Sequence, residues 1–289
     1  MKSVLETIQS GTQYLEARDV PEARLSMEHM LASVLECKRL DLYMMFDRPL
    51  GEAELAPLRE MLKRRGKREP LQHVLGTVDF LGYEFASDAR GLVARPETEE
   101  LVEEGLKLAR GFDGPLRVLD VGTGSGVIGL TMALELGDRL ERSVMVDLSI
   151  DARSLAAENY ARHELDGERV IIGESDLVSG AVVAEHAPYH VILANLPYIP
   201  SGEIPGLDAE VQFDPKMALD GGDDGLDLVR RLLTDARKHL VAGGWIGLEL
   251  GIGQTESVVA FAESQGYLDV RAEEDMAGIA RFVYARMSE

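Results

Sequence analysis

From residue 116 to the carboxyl end, apolar strand-like runs alternate with helix-like ones. The first run feeds directly into Val118-Leu119-Asp120-Val121-Gly122-Thr123-Gly124-Ser125-Gly126. Alternation of this kind builds βαβ units, whose strands lie mainly parallel in a sheet covered on both faces by helices. The pattern predicts strands at 116–121, 143–147, 169–172, 189–195 and 245–250, with helices at 127–136, 151–162, 224–240 and 255–265. Two terminal strands are expected near 268–272 and 279–286. Glycines at the first strand-to-helix turn let the backbone bend sharply and let a ligand approach the main chain closely.

Two ligand chemistries compete for that turn. Gly124-Ser125-Gly126-Val127-Ile128-Gly129 is a literal dinucleotide fingerprint, but a lone match selects little, and its first glycine falls about four residues past the strand. Asp120-Val121-Gly122-Thr123-Gly124-Ser125-Gly126 fits D-x-G-x-G-x-G instead, the pattern typical of S-adenosylmethionine enzymes. That cofactor presents no pyrophosphate, and an acid ahead of the turn, here Asp120, receives the ammonium of its methionine portion directly or through water. Asp147 ends the next strand, about 20 residues on, where a carboxylate can accept hydrogen bonds from both hydroxyls of a ribose. Leu148 follows it. Residues 173–177, with Asp176 and Leu177, are expected to meet the adenine.

The fourth strand runs apolar and then meets Asn195-Leu196-Pro197-Tyr198-Ile199-Pro200, at the carboxyl edge where open α/β sheets bind ligands. This suits methylation of a planar nitrogen, whose lone pair is delocalised and therefore a poor nucleophile. Asn195 Oδ1 and the Leu196 carbonyl can accept hydrogen bonds from its two N–H groups and aim it at a sulfonium methyl, with Asn195 bordering the cofactor as well. Help of this kind comes from orientation and electrostatic preorganisation. Pro197 belongs to the same catalytic motif, and Tyr198 is expected to wall the pocket or stack on the planar group.

The first 70 residues read as helices throughout, with apolar residues at three- and four-residue steps (Val4, Leu5, Ile8, then Met27, Met30, Leu31, Val34). Pro21 suits the first turn of a second helix, with Asp19 as its cap. A basic stretch, Arg59 to Arg68, either places cations at a helix C-terminus stopped by Gly66 or offers a docking face to an anionic partner. Residues 71–75, 77–80 and 83–85 read as short β pieces of a hairpin linking two domains, followed by a helix from Arg95-Pro96-Glu97-Thr98 to about residue 108.

A length of 289 residues suits two domains. With 51 Asp+Glu against 30 Lys+Arg, a formal net charge of −21 argues against tracking nucleic-acid phosphates by bulk charge, so no stable nucleic-acid binding is expected. The single cysteine, Cys37, reads as packing and cannot form an intramolecular disulfide. Glu6 precedes any apolar run that could serve as a signal peptide, and the uncharged stretch 121–134 is too short to span a bilayer. A cytoplasmic protein without membrane association is expected. No pair of the six histidines has convincing ligand spacing, so no metal site is expected.

The chain resembles the protein-glutamine N5-methyltransferases of peptide chain release factors, the PrmC or HemK family. The likeness runs through Glu69-Pro70-Leu71-Gln72-His73, Arg95-Pro96-Glu97-Thr98-Glu99, the glycine loop, Asp147-Leu148-Ser149 and Asn195-Leu196-Pro197-Tyr198. It continues in Gly221-Gly222-Asp223-Asp224-Gly225-Leu226-Asp227, Leu248-Glu249-Leu250-Gly251 and Asp275-Met276-Ala277-Gly278. The resemblance implies a class I S-adenosylmethionine-dependent methyltransferase fold, a Rossmann-like, seven-stranded, mainly parallel sheet with its last strand antiparallel. A small N-terminal helical domain for substrate recognition (1–70) and a β-hairpin linker (71–95) would precede the methyltransferase domain (96–289). The substrate it implies is the glutamine of the Gly-Gly-Gln motif in class I release factors, with S-adenosyl-L-homocysteine as the other product and the enzyme a monomer. Asn195, Leu196, Pro197, Tyr198, Arg95 and Glu97 would then face the substrate. Leu196 stands where the family has proline, Leu177 where an aromatic often flanks the adenine, and Phe213-Asp214-Pro215 replaces a common Glu-Pro. Asn-Leu-Pro-Tyr also occurs in rRNA adenine dimethylases, so N6-adenine methylation of rRNA or DNA is the competing activity. A non-catalytic cofactor-binding partner of the translation machinery is the reading of another class.

Overall fold

The computed structural model describes residues 2–288. The chain divides into two compact units, one running to Thr77 and taking in Asp208–Phe213, the other comprising Val78–Leu207 and Asp214 onward. The division after Thr77 falls inside the expected linker, 71–95, and the return of 208–213 to the first unit has no counterpart in the sequence pattern.

The first unit is helical: α1 (Val4–Glu16), α2 (Ala23–Val34), a 3₁₀ turn at Arg39–Met44, α3 (Glu52–Arg65) and α4 (Leu71–Leu75). Its core gathers Val4, Ile8, Leu15, Met27, Met30, Leu31, Leu42, Leu50 and Leu58. A capping box opens α1: the Ser3 hydroxyl accepts from Glu6 N–H at 3.3 Å, and Ser3 N–H donates to Glu6 Oε2 at 2.8 Å. Two expectations need correction. α2 begins at Ala23, after Asp19 and Glu22 at positive φ (55° and 48°), so Asp19 is no cap and Pro21 lies outside the helix. Residues 71–75 form a helical turn, not a β piece; Leu71, Val74 and Leu75 follow the i, i+3, i+4 spacing of a buried helical face, and Pro70 presets its entry.

Most cations of the basic stretch are paired within their own unit. Arg59 pairs with Glu52, Lys63 with Glu60 and Arg64 with Glu69. Arg65, only 3% exposed, reaches Glu210 at 3.0 Å, and Arg68 holds Asp208 at 2.8 Å and Glu210 at 3.2 Å. These last three pairs fasten 208–213 to the helices, so the end of the stretch works as an internal clamp.

The second unit carries β1 (Thr77–Phe80) and β2 (Tyr83–Ala86) as a two-stranded sheet, then α5 (Pro96–Arg110), β3 (Leu116–Val121), α6 (Val127–Leu136), β4 (Leu140–Asp147) and α7 (Ile150–Arg162). After these come β5 (Val170–Glu174), α8 (Ala181–His186), β6 (Tyr189–Asn195), α9 (Asp227–Ala236), β7 (Leu240–Glu249), α10 (Thr255–Ser264), β8 (Leu268–Glu274) and β9 (Ala280–Arg286). The seven-stranded sheet has the order β5-β4-β3-β6-β7-β9-β8, all neighbours parallel except β9, which runs antiparallel to β7 and β8. Leu232 and Leu233 of α9 and Val258 of α10 bury against one face; Leu101 and Val102 of α5, Leu130 of α6 and Ala156 of α7 bury against the other. The helix expected over 224–240 is shorter, because Asp224 is drawn into a turn with Leu226 N–H and the chain tightens into 3₁₀ geometry at Arg237–His239. β7 starts earlier than expected, at Leu240, through an irregular register beside Tyr189. No helix among the described residues is long and apolar enough to cross a membrane.

Candidate active site

The carboxyl ends of β3, β4, β5 and β6 open onto a cavity of about 710 Å³, within the range of small-molecule sites. The glycine loop forms its floor. Gly122 sits at φ +74°, and a Cβ there would lie 2.9 Å from Leu196 Cδ2, so the turn needs glycine both for its backbone and for the leucine packed on it. Leu196 is 3% exposed and belongs to the sheet core, so burial anchors the loop after β6 where a proline ring would have stiffened it. Across the hairpin, Asn159 bonds both Ala86 main-chain groups and donates to the Ser125 carbonyl at 2.8 Å, fixing the far side of the loop.

Asp120 lies behind the loop, 1% exposed. Its Oδ2 accepts from Thr123 Oγ1 at 2.5 Å and Gly129 N–H at 2.9 Å, while Oδ1 has no hydrogen-bond partner. Burial pushes this carboxyl up to about 7, against the pull of those two bonds. Asp147 is half-buried at the cavity wall: Gly124 N–H donates to its Oδ2 at 3.0 Å and Ser149 N–H to its Oδ1 at 2.8 Å. Asp176, whose Oδ2 accepts from Arg231 at 2.8 Å, lines the cavity together with Leu148 and Leu177.

Gly122, Thr123, Gly124, Ser125, Asp147, Leu148, Asp176, Leu177, Asn195, Leu196 and Pro197 all border this one space. Asp120, Gly126, Tyr198, Arg95 and Glu97 do not. Gly126 caps α6 from beneath. Tyr198 lies among Glu249, Arg281, Arg95 and Glu97, and burial pushes its hydroxyl up to about 12. Arg95 reaches Asp214 at 3.6 Å.

Asn195 stands opposite Glu249 in the β6–β7 register. Its Nδ2 donates to Thr98 Oγ1 at 3.1 Å, and Thr98 Oγ1 donates to Glu249 Oε2 at 2.7 Å. Asn195 Oδ1 is buried with no hydrogen-bond partner. Thr98 is placed by α5, where Pro96 and the acids Glu97 and Glu99 favour a helix start and Thr98, Leu101, Val102 and Gly105 form the buried face. Glu249 is 2% exposed and burial pushes it up to about 7, with the Thr98 bond opposing. In the sequence neither Thr98 nor Glu249 stands out as a site residue; the one signal is an acid ending the otherwise apolar run of β7. Among the described residues, no group of three or more His, Cys, Asp or Glu is placed to hold a metal ion.

Residues 6–76 match the model of the PrmC N-terminal domain and residues 106–204 that of the methyltransferase small domain. A release factor glutamine methyltransferase of Geobacter sulfurreducens is 39% identical over 275 residues, spanning 95% of this chain and 93% of its own length. One of Deinococcus radiodurans is 35% identical over 281 residues, 97% of each. The chain belongs to the release factor glutamine methyltransferase family. A solved methyltransferase from Pyrococcus furiosus, 19% identical, superposes with a TM-score of 0.51 over 72% of this chain and 91% of its own, which shows the class I methyltransferase fold.

The geometry explains why this family member carries Gly221-Gly222-Asp223-Asp224-Gly225 far from the glycine loop. Gly225 is at φ +78°, and a Cβ there would fall 2.2 Å from the Tyr198 carbonyl oxygen. Gln254 Nε2 donates to that same oxygen at 2.9 Å, and Ile199 bridges Asp220. The segment therefore braces the loop after Asn195 through the main chain.

Proposed function

We propose that the protein transfers a methyl group from S-adenosyl-L-methionine to N5 of the glutamine in the Gly-Gly-Gln motif of class I peptide chain release factors. The observation that carries this reading is Asn195 Oδ1, a buried acceptor without a partner, beside a cavity suited to that cofactor. The donor set supports the cofactor: Gly124 N–H is already engaged by the Asp147 carboxylate, which would repel a pyrophosphate but can receive ribose hydroxyls. Leu148 and Leu177 offer apolar walls to the adenine, Asp176 a carboxylate beside it, and Asp120 steadies the turn.

S-adenosyl-L-methionine, when bound, supplies an electrophilic methyl on a positively charged sulfur and leaves as S-adenosyl-L-homocysteine. Asn195 Oδ1 accepts one N–H of the substrate amide and the Leu196 carbonyl the other, which points the nitrogen lone pair into the cavity. Because both acceptors are held before the substrate arrives, the stabilisation is orientational and electrostatic. The surplus amide proton leaves to water. Pro197 and the braced Tyr198 carbonyl keep the loop in place. Arg95 and Glu97 serve the protein substrate, and the helical unit, residues 1–70 and their continuation to Thr77, serves its recognition. The enzyme works as a monomer in the cytoplasm.

The test uses labelled S-adenosylmethionine with a release factor, the same factor with its Gly-Gly-Gln glutamine changed to alanine, and rRNA or DNA. Label is expected only on the intact factor. Label that persists on the alanine form, or that goes to nucleic acid alone, overturns the assignment.

A further inference from the structure

We infer that Thr98 and Glu249 are positioning residues that set the polarity of the Asn195 amide, so that its oxygen and not its NH₂ group faces the substrate. The inference rests on the methyltransferase reading above and adds how the acceptor is kept an acceptor.

Donor and acceptor counts fix the direction of this chain of hydrogen bonds. An ionised carboxylate can only accept, so Glu249 Oε2 fixes the Thr98 hydroxyl as donor at 2.7 Å. The remaining capacity of Thr98 Oγ1 is its lone pairs, which require a donor from Asn195, and Nδ2 supplies it at 3.1 Å. Asn195 also contributes a hydrogen bond that favours the charged form of Glu249. With the NH₂ group committed on that side, Oδ1 is left on the other, buried and without a partner. All three elements are held rigidly: Thr98 is 3% exposed in the first turn of α5, Asn195 ends β6, and Glu249 ends β7 in register with it.

The direction of the chain therefore reports the charge of one buried group. When Glu249 takes a proton from solvent it can donate to Thr98, and Thr98 can donate onward. Asn195 then satisfies Thr98 by turning its oxygen inward, and presents NH₂ to the reacting nitrogen, which itself offers only N–H. Glu249 ordinarily titrates near 4.5; burial and Glu97 raise it to about 7, while Thr98, Arg281 and Asn195 oppose. Tyr198 also faces it and stays neutral in this range. Arg281, which faces it too, is held by Asp275 at 2.8 Å.

The full-length protein, labelled with ¹⁵N, tests this without any substrate: the Asn195 side-chain amide resonances are expected to shift with pH along a single titration near 7, and to lose that titration in Glu249→Gln. Resonances that stay fixed from pH 5.5 to 8.5 overturn the relay. In the kinetic arm, wild-type kcat on a release factor is expected to rise with pH through the same midpoint and then level. Thr98→Val is expected to lower kcat on the order of 10²-fold, the scale for a misplaced catalytic group. KM for S-adenosylmethionine should move little, and Thr98→Ser should restore most of the loss. Glu249→Gln is expected to be slower and to lose the acidic limb. A Thr98→Val protein with wild-type kcat overturns the proposal; a purely structural role would lower stability while leaving the acidic limb in Glu249→Gln. If the wild-type protein methylates no release factor, the substrate assignment fails, and the resonance titration still decides the relay.

Discussion

Asp120 and Glu249 are two buried carboxylates that end, or nearly end, the strands on either side of β6, and burial pushes both up to about 7. Their partners differ. Asp120 is bonded by Thr123 and Gly129, three and nine residues along the chain, and it closes a local turn. Glu249 is bonded by Thr98, 151 residues away, which in turn holds Asn195. One acid builds the cradle and the other hands a direction to the reacting end of the site. The same desolvation thus serves rigidity on one side of β6 and orientation on the other.

The contrast can be broken at three points, in decreasing order of effect. Asn195→Ala removes the open acceptor and is expected to lower turnover roughly 10²–10³-fold, the scale for one preorganised hydrogen-bonding group. Affinity for S-adenosylmethionine, measured by calorimetry, should change much less; equal losses in both would move Asn195 to the cofactor side. Leu196→Ala cuts the seam where the two sides meet over Gly122. It is expected to destabilise the fold at the low end of the roughly 2–5 kcal/mol range for such truncations, because the loop can settle towards the glycine. Urea midpoints check this, and an unchanged midpoint would mean that Leu196 anchors nothing.

Asp120→Asn should have the smallest effect on turnover, and on stability near pH 4 it should lie within about 1 kcal/mol, since the protonated carboxyl is isosteric with an amide whose oxygen can accept the same two bonds. Its signature lies in pH dependence. The folded carboxyl titrates at about 7 and the unfolded one near 3.8, so the native state binds the extra proton. The stability this gives is present below pH 3.8 and lost as pH rises through 7. Asparagine does not titrate, so relative to wild type the variant should gain stability as pH rises from about 4 to 7 and then level off. A constant difference across that range would mean that Asp120 keeps an ordinary carboxylate pKa in the fold.

Much of this architecture was legible because its signals are local. Apolar runs of five or six residues, glycine at a strand-to-helix turn and Asp147 at a strand end each report on neighbours within one βαβ unit. The sheet, the glycine loop and the position of Asn195 followed from them. Residues 71–75 were misread because five residues are too few to separate a helical from an extended period, although Leu71, Val74 and Leu75 carried the helical spacing. Thr98 and Glu249 were illegible for a different reason. A threonine inside Pro96-Glu97-Thr98-Glu99 looks like an ordinary helix start, and only the strand order places it beside the end of β7. The ion pairs of the basic stretch were hidden likewise, since Asp208 and Glu210 lie about 140 residues beyond Arg68.

Those same acids carry a consequence for how such a chain could be rebuilt. Because Asp208–Phe213 belongs to the helical unit while the residues on both sides belong to the other, the backbone passes between the units three times and not once. A helical module threaded in this way cannot be exchanged for another by a single crossover in the gene. A recombinant joined at residue 77 would inherit an acidic strap evolved for arginines it no longer has, so the two units are constrained to change together.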